Sequence, residues 1–300
     1  MTASQLSATA LRSAGAAVLT AAGIDCAASD STWLLAHVLG VDPGKLLLVD
    51  HVAAAERAAF DALISRRAQR IPLQHLTAQS VFAEVELEVG PGVFIPRPET
   101  ELLAQWATTF LRARPTGAPL RVVDACSGSG ALALAIATAV PAAAVIAVER
   151  SPEALAYLRR NVAAQPASVA RRIQVRAGDV TDPRIWAAIG ECDLIVSNPP
   201  YVPAAAPVSP EVRCDPAIAV FSGESGMDLI VELVPQIAAA LVPGGATAIE
   251  HDDTTAAQTA AVLADAGVFA DVTNHRDLAG RPRYVTATRA DVPAVQGWNS

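Results

Sequence analysis

Leu120-Arg121-Val122-Val123-Asp124-Ala125-Cys126-Ser127-Gly128-Ser129-Gly130-Ala131-Leu132-Ala133-Leu134-Ala135-Ile136-Ala137-Thr138-Ala139 is the stretch that decides the fold. Leu120 to Ala125 has the length and apolar run of a buried strand, Cys126 to Gly130 is a loop of small residues, and Ala131 to Ala139 is a helix. Downstream the same order repeats. Val145 to Val148 is a second strand ending in Glu149, and Pro152 suits the first turn of the next helix. Ile173 to Val175 is a third strand leading into Gly178-Asp179-Val180, and Asp193 to Ser197 is a fourth. Gly226 to Leu241 reads as a helix, Pro243-Gly244-Gly245 as a turn, and Ala246 to Glu250 as a fifth strand. Two more strands are expected near Val268 to Asn274 and Arg283 to Thr288. Strand, loop and helix in alternation predict an α/β domain built on a mostly parallel sheet of seven strands.

Toward the N-terminus the pattern changes. Residues 1–77 read as an all-helical domain. Leu6, Ala10, Ala14 and Val18 are spaced by four and are expected on the buried face of a first helix, with Gly23 as its stop. Asp30 or Ser31 is expected to cap a second helix carrying Trp33, Leu34, Ala36, His37 and Val38. A third runs from about Ala53 to Arg70, with Phe60, Leu63 and Ile64 on one face and Arg66, Arg67 and Arg70 opposite. No catalytic constellation occurs here, so the domain either docks a partner or serves packing alone. Val81 to Val89 alternates apolar with acidic residues, the period of a half-exposed strand. It places a β-hairpin linker over 78–96, ahead of the α/β domain at 97–290 and a tail at 291–300.

Composition bounds the function. The chain of 300 residues has ample length for two domains and carries a net charge of -8, which argues against a protein whose main business is gripping nucleic-acid phosphates. Cys26, Cys126, Cys192 and Cys214 are far apart and form no zinc-site spacing, so reduced thiols in a cytoplasmic protein are expected, with no metal. The apolar run from Gly130 to Val148 is interrupted by Pro141 and reads as helix then strand, not a membrane span. No signal peptide is expected either.

The chemistry-bearing stretch is Ser197-Asn198-Pro199-Pro200-Tyr201. Two prolines end the fourth strand, and Pro200 forces Pro199 into an extended conformation, giving a rigid elbow at the sheet edge where α/β proteins place ligands. An Asn amide, the Pro199 carbonyl and the Tyr201 ring together suit a planar nitrogen group. Asn198 to Tyr201 resembles the signature of methyltransferases that use S-adenosylmethionine (SAM) to methylate amide or exocyclic amine nitrogens.

A cofactor site upstream supports that resemblance. Gly128 and Gly130 match two positions of the dinucleotide fingerprint, but the third is Ala133, which disfavours a dinucleotide oxidoreductase. A carboxylate can still be received at the helix N-terminus. Asp124 is placed to meet a cofactor ammonium. Glu149 can accept both ribose hydroxyls, and Asp179 can accept from the adenine amine, with Val180 against the ring.

The fuller resemblance is to the peptide chain release factor glutamine methyltransferase family. It rests on Pro72 to Leu76, on Pro91 to Glu101 with its Ile-Pro-Arg-Pro-Glu-Thr-Glu run, and on Ser197 to Tyr201. Glu211-Val212-Arg213 with Asp215-Pro216, Gly223 to Asp228, and Asp277 to Arg283 match as well. The resemblance implies a Rossmann-like SAM-dependent methyltransferase fold with a small helical substrate-docking domain. It also implies methyl transfer to the side-chain nitrogen of the Gln in the Gly-Gly-Gln loop of class I release factors. By position, Cys126, Ser127, Gly128, Ser129 and Gly130 form the cofactor loop, Glu149, Val180 and Asn198 add contacts, and Asn198, Pro199, Pro200 and Tyr201 hold the Gln. A cytoplasmic monomer without membrane or direct nucleic-acid partners is the accompanying expectation.

Three departures stand out: Cys126 where the family has a glycine and Ser127 where it has Thr, Glu149 for Asp, and His251-Asp252-Asp253 after Glu250 where a glycine is common. That last run is expected to be a solvated loop, with a metal site as the alternative. The rival reading is a methyltransferase of exocyclic amines in rRNA or DNA, which needs a basic, aromatic-bearing recognition segment that the chain does not show. A non-catalytic scaffold would be expected to lose Asn198 or the acids, and none is lost.

Overall fold

The computed structural model describes residues 7–115, 117 and 119–291. The expected tail lies, beyond residue 291, outside the described residues. The chain divides into two compact units, one built on residues up to Gln79 together with Val208–Cys214, the other on Ser80–Pro207 with the chain from Asp215 onward.

The first unit contains α1 (Ala8–Ala21), α2 (Ala27–Leu39), a 3-10 turn at Pro43–Leu48, α3 (Ala54–Ala68) and α4 (Leu73–Thr77) around a core of Leu11, Leu19, Leu34, Leu35, Phe60 and Ile64. The buried face of α1 is Ala8, Leu11, Gly15 and Leu19, whereas Ala10 and Ala14 are exposed and Val18 is 49% exposed. This corrects the row expected from the sequence at Ala10, Ala14 and Val18; Leu6, its first member, lies outside the described residues. The reason is steric: a Cβ at Gly15 would lie 2.6 Å from Ser31 Oγ and 2.7 Å from Phe60 Cζ, so the bare backbone is what lets α1 approach its neighbours.

Helix α2 starts at Ala27, ahead of the caps expected at Asp30 and Ser31. Both residues are buried within the helix. Asp30 takes a 2.7 Å ion pair from Arg67, and the Ser31 hydroxyl donates to the Arg12 carbonyl at 2.8 Å. Arg67, expected on the solvent face of α3, is buried and also reaches Glu211 at 3.0 Å. Arg70 pairs with the same carboxylate at 2.9 Å. These arginines hold Val208–Cys214, a segment the sequence reading left within 97–290, against the helices of this unit.

The second unit opens with the hairpin β1 (Gln79–Phe82) and β2 (Val85–Glu88), turned by Ala83 and Glu84 at positive φ. There follow α5 (Thr100–Arg112), β3 (Leu120–Ala125), α6 (Ala131–Ala139), β4 (Ala143–Glu149), α7 (Pro152–Ala163), α8 (Ala167–Ala170), β5 (Ile173–Ala177), α9 (Pro183–Ile189) and β6 (Cys192–Ser197). The chain ends in α10 (Ala217–Val220), α11 (Asp228–Ala240), β7 (Leu241–Glu250), α12 (Ala256–Asp265), β8 (Phe269–Arg276) and β9 (Pro282–Arg289). The seven strands of the main sheet run in the order β5-β4-β3-β6-β7-β9-β8, with β3 to β7 parallel and β9 antiparallel to both β7 and β8.

The central strands are apolar on both faces because helices cover both. The β1–β2 hairpin, α5, α6 and α7 pack on one face, and α9, α11 and α12 on the other. Strand order reverses between β3 and β6, where Ala125 pairs with Ser197 and the Ser197 hydroxyl donates to the Ala125 carbonyl at 2.7 Å. The chain after each of these strands therefore opens into one crevice at their C-terminal ends.

Candidate active site

The crevice is a cleft lined by residues at or just past the C-terminal ends of four parallel strands. Its wall brings together Asp124 in β3 with Cys126, Ser127, Gly128 and Ser129 after it, Glu149 at the end of β4, Asp179 and Val180 after β5, and Asn198 and Pro200 after β6. Phe94, Pro96 and Thr100 also line it. Gly130 caps α6 in the left-handed region, and Pro199 and Tyr201 stand outside the lining.

Asp124 is 1% exposed. Its Oδ2 accepts from the Ser127 hydroxyl and from the Ala133 N–H at 3.0 Å, while its Oδ1 is buried with no hydrogen-bond partner. Burial raises its pKa to about 6 against those two bonds, with the Glu149 charge adding to the rise. An orphaned carboxylate oxygen on a cleft wall fits a cationic group of a ligand.

Glu149 binds the loop to its own strand. Its Oε2 accepts from Gly128 N–H at 2.9 Å, and its Oε1 accepts from the N–H groups of Arg150 and Ser151 at 2.8 and 2.7 Å. A carboxylate has lone pairs beyond these three, so hydroxyl donors can still be received. Burial pushes the Asp179 carboxyl upward, but donors from Thr181 and the Arg150 guanidinium at 3.2 Å outweigh it and hold the group below its usual range.

Cys126 takes φ of +68°, the left-handed region that favours glycine. The loop thus keeps a glycine-like turn with a side chain on it. The thiol is pushed well above its ordinary range by burial and by the charges of Glu149 and Asp124, so it is protonated and inert.

Asn198 follows β6. Its Nδ2 donates to Thr100 Oγ1 at 3.1 Å, which leaves Oδ1 as the acceptor on the cleft side. Thr100 also bonds to the Glu250 carboxylate, and the Tyr201 hydroxyl donates to Glu250 Oε1 at 2.8 Å. Tyr201 is in turn seated against Gly226, whose φ of +79° and missing Cβ let it lie where a Cβ would be 2.3 Å from the Tyr201 carbonyl oxygen. Arg97 pairs with Asp215, which also accepts from Ile95 N–H at 3.2 Å, tying the Pro-Arg-Pro-Glu-Thr run to the Asp215-Pro216 turn.

Sequence reasoning missed the roles of Thr100 and Glu250. Thr100 lies in the quoted Ile-Pro-Arg-Pro-Glu-Thr-Glu run, which was the one available signal. Glu250 ends a strand, as Glu149 does, and that position was its only signal. The run after it needs correction. His251 is 0% exposed, with Nδ1 bonded to the Asp252 carbonyl at 2.9 Å, and so is not a solvated loop residue. Asp252 accepts from Thr254 at the start of the turn into α12. Among the described residues no group of three His, Cys, Asp or Glu is placed to hold a metal.

Comparison with known proteins agrees with this geometry. Residues 10–77 match the model of the PrmC N-terminal domain, and residues 75–210 match the methyltransferase small domain. The release factor glutamine methyltransferase of Mycolicibacterium smegmatis is 49% identical over 92% of this chain and 95% of that protein. The chain belongs to the release factor glutamine methyltransferase family. Members from Mycobacterium tuberculosis H37Rv and Deinococcus radiodurans are 44% and 42% identical, each over 91% of this chain and over 89% and 95% of their own lengths. The two matched family models together span residues 10–210, from the helical unit into the α/β unit.

Proposed function

We propose that this protein transfers a methyl group from SAM to the side-chain amide nitrogen of the glutamine in the Gly-Gly-Gln motif of class I peptide chain release factors. Identity of 49% to a release factor glutamine methyltransferase supports the reaction. The structural observation that carries it is the Asn198 carboxamide, tied through Nδ2 and left with Oδ1 as an acceptor beside the cofactor cleft.

Bound SAM supplies an electrophilic methyl on a sulfonium. The chain's own residues bind and orient. Asp124 Oδ1 would hold the cofactor ammonium, Glu149 the ribose hydroxyls and Asp179 the adenine amine, with Val180 as the apolar contact for the ring. Cys126 to Ser129 border the same space, and Gly130 caps α6 behind them.

An amide nitrogen is a poor nucleophile because its lone pair is delocalised into the carbonyl. Asn198 Oδ1 and the Pro199 carbonyl accept hydrogen bonds from its two N–H groups and set it in line, so that orientation replaces a strong base. Pro200 lines the approach, and Tyr201, anchored on Glu250, presents its ring toward the amide plane. Positive charge grows on nitrogen as the bond forms, so both acceptors bind the transition state more strongly than the ground state. The proton then leaves to water.

The helical unit docks the release factor, and the enzyme is a cytoplasmic monomer without membrane or direct nucleic-acid partners. The net charge of -8 supports the last point, and among the described residues no helix is long and apolar enough to cross a membrane. Mass spectrometry of a class I release factor after incubation with SAM and enzyme tests the reading. One added methyl on the Gly-Gly-Gln glutamine is expected with the wild type and none with Asn198→Ala; modification of added RNA in place of the release factor would favour the exocyclic-amine alternative.

A further inference from the structure

Four residues far apart in sequence form one hydrogen-bonded row behind the target site. Asn198 follows β6, Thr100 opens α5, Glu250 ends β7 and Tyr201 follows the two prolines. Thr100 is 3% exposed and Glu250 2% exposed, so neither side chain is satisfied by bulk water. The direction of each bond follows from what each group can give. An ionised carboxylate only accepts, so Glu250 draws the hydroxyl protons of both Thr100 and Tyr201 to itself. The Thr100 oxygen is then left with lone pairs alone toward Asn198, and only the Nδ2 end of the carboxamide can meet it.

We propose that Thr100 and Glu250 are positioning residues for methyl transfer, fixing the Asn198 carboxamide in the one orientation that turns its Oδ1 to the incoming amide. The inference rests on the function proposed above. A carboxamide is nearly symmetric in shape, so packing alone does not choose between its two flips. The wrong flip would present an N–H to the N–H of the target, where an acceptor is required. Protonated Glu250 loses the directing power, because it can donate to Thr100 and free the threonine proton to bond Asn198 Oδ1.

Burial raises the Glu250 pKa to about 7, opposed by the bonds from Thr100 and Tyr201 and by Arg283, with Glu99 adding to the rise. The groups facing it are Glu99 beside Thr100, Tyr201, and Arg283 and Tyr284 from β9. Burial holds the Tyr201 and Tyr284 hydroxyls above their ordinary range, so both stay neutral near pH 7. Arg283 stays charged, and burial keeps the adjoining His251 below its usual range. The sign follows: the directing form is the ionised one, so turnover rises as pH increases through about 7.

The test is kcat and KM for SAM and release factor in the full-length enzyme. Thr100→Val should lower kcat roughly 10- to 100-fold with KM for SAM nearly unchanged, and Thr100→Ser should restore most of it. Glu250→Gln should remove the step in kcat near pH 7 at saturating SAM. Valine at wild-type turnover, failure of serine to rescue, or a pH step that survives Glu250→Gln would overturn the inference. A wild-type enzyme that leaves the release factor unmethylated would overturn the proposed function and this inference with it, whereas wild-type activity with indifferent variants removes the inference alone.

Discussion

Two residues of the cofactor cleft carry strain or charge that measurement can expose. Cys126 holds φ at +68°, a conformation that costs a side-chain-bearing residue about 1–2 kcal/mol relative to glycine. Glycine gives back part of that gain through its greater freedom in the unfolded chain, about 0.4–1 kcal/mol. Cys126→Gly is therefore expected to raise the urea midpoint slightly, while Cys126→Val, with a branched Cβ in the same region, lowers it; a glycine variant less stable than the valine one would contradict the backbone argument. Asp124 makes a second case. Its folded-state pKa of about 6 lies above the unfolded value, so its contribution to stability is fully present below about pH 4 and lost as pH rises through about 6. A bound ammonium group reverses the preference by favouring the carboxylate. SAM affinity measured by calorimetry should thus increase between pH 5.5 and 7.5, roughly tenfold for each unit by which binding lowers that pKa, and Asp124→Asn should flatten the increase.

At the scale of elements, the α/β unit was legible and the helical unit only partly so. Buried parallel strands are short continuous apolar runs, and Leu120–Ala125 or Cys192–Ser197 stands out against its polar flanks. Helix α1 offers no such contrast, since alanines populate every face and burial is decided by which row lets a neighbour approach. Gly15 supplies that approach. Gly15→Ala should therefore cost about 1–3 kcal/mol through overpacking, whereas Ala14→Leu on the exposed face should stay within about 0.5 kcal/mol. Equal effects in urea melts would return the helix to the face read from spacing. Arg67 was misread for a related reason: an arginine on a helix looks solvent-facing until Asp30 and Glu211 are brought to it from 37 residues upstream and 144 downstream. The candidate site divides the same way. That Asp124, Glu149, Asp179 and Asn198 meet in one cleft was legible because each lies at or just past the end of a strand in a repeating pattern, but the partnership of Thr100 with Glu250 exists only once α5 and β7 are side by side.

For the whole molecule, the docking role proposed for the helical unit predicts that cofactor binding and substrate choice can be separated. Every residue lining the cleft proposed for the cofactor belongs to the α/β unit, and that unit has its own cores on both faces of the sheet. The helical unit contributes no lining residue but claims Val208–Cys214, the stretch between the Asn198–Tyr201 elbow and Asp215, through Arg67 and Arg70. Loss of residues 1–77 should therefore leave SAM affinity within about threefold, since no contact to the cofactor is removed, a change of under about 0.7 kcal/mol. Methylation of a release factor should fall much further, tenfold for each 1.4 kcal/mol of docking lost. The Arg67→Ala/Arg70→Ala protein should lie between the two, because it keeps the helical unit while leaving Glu211 unpaired and the 208–214 segment unheld. Calorimetry with SAM and a methyl-transfer assay on the same three proteins decide the matter. A truncated chain that loses SAM binding and methylation in parallel would mean that the helical unit supports the cleft itself, and would remove the docking role assigned to it.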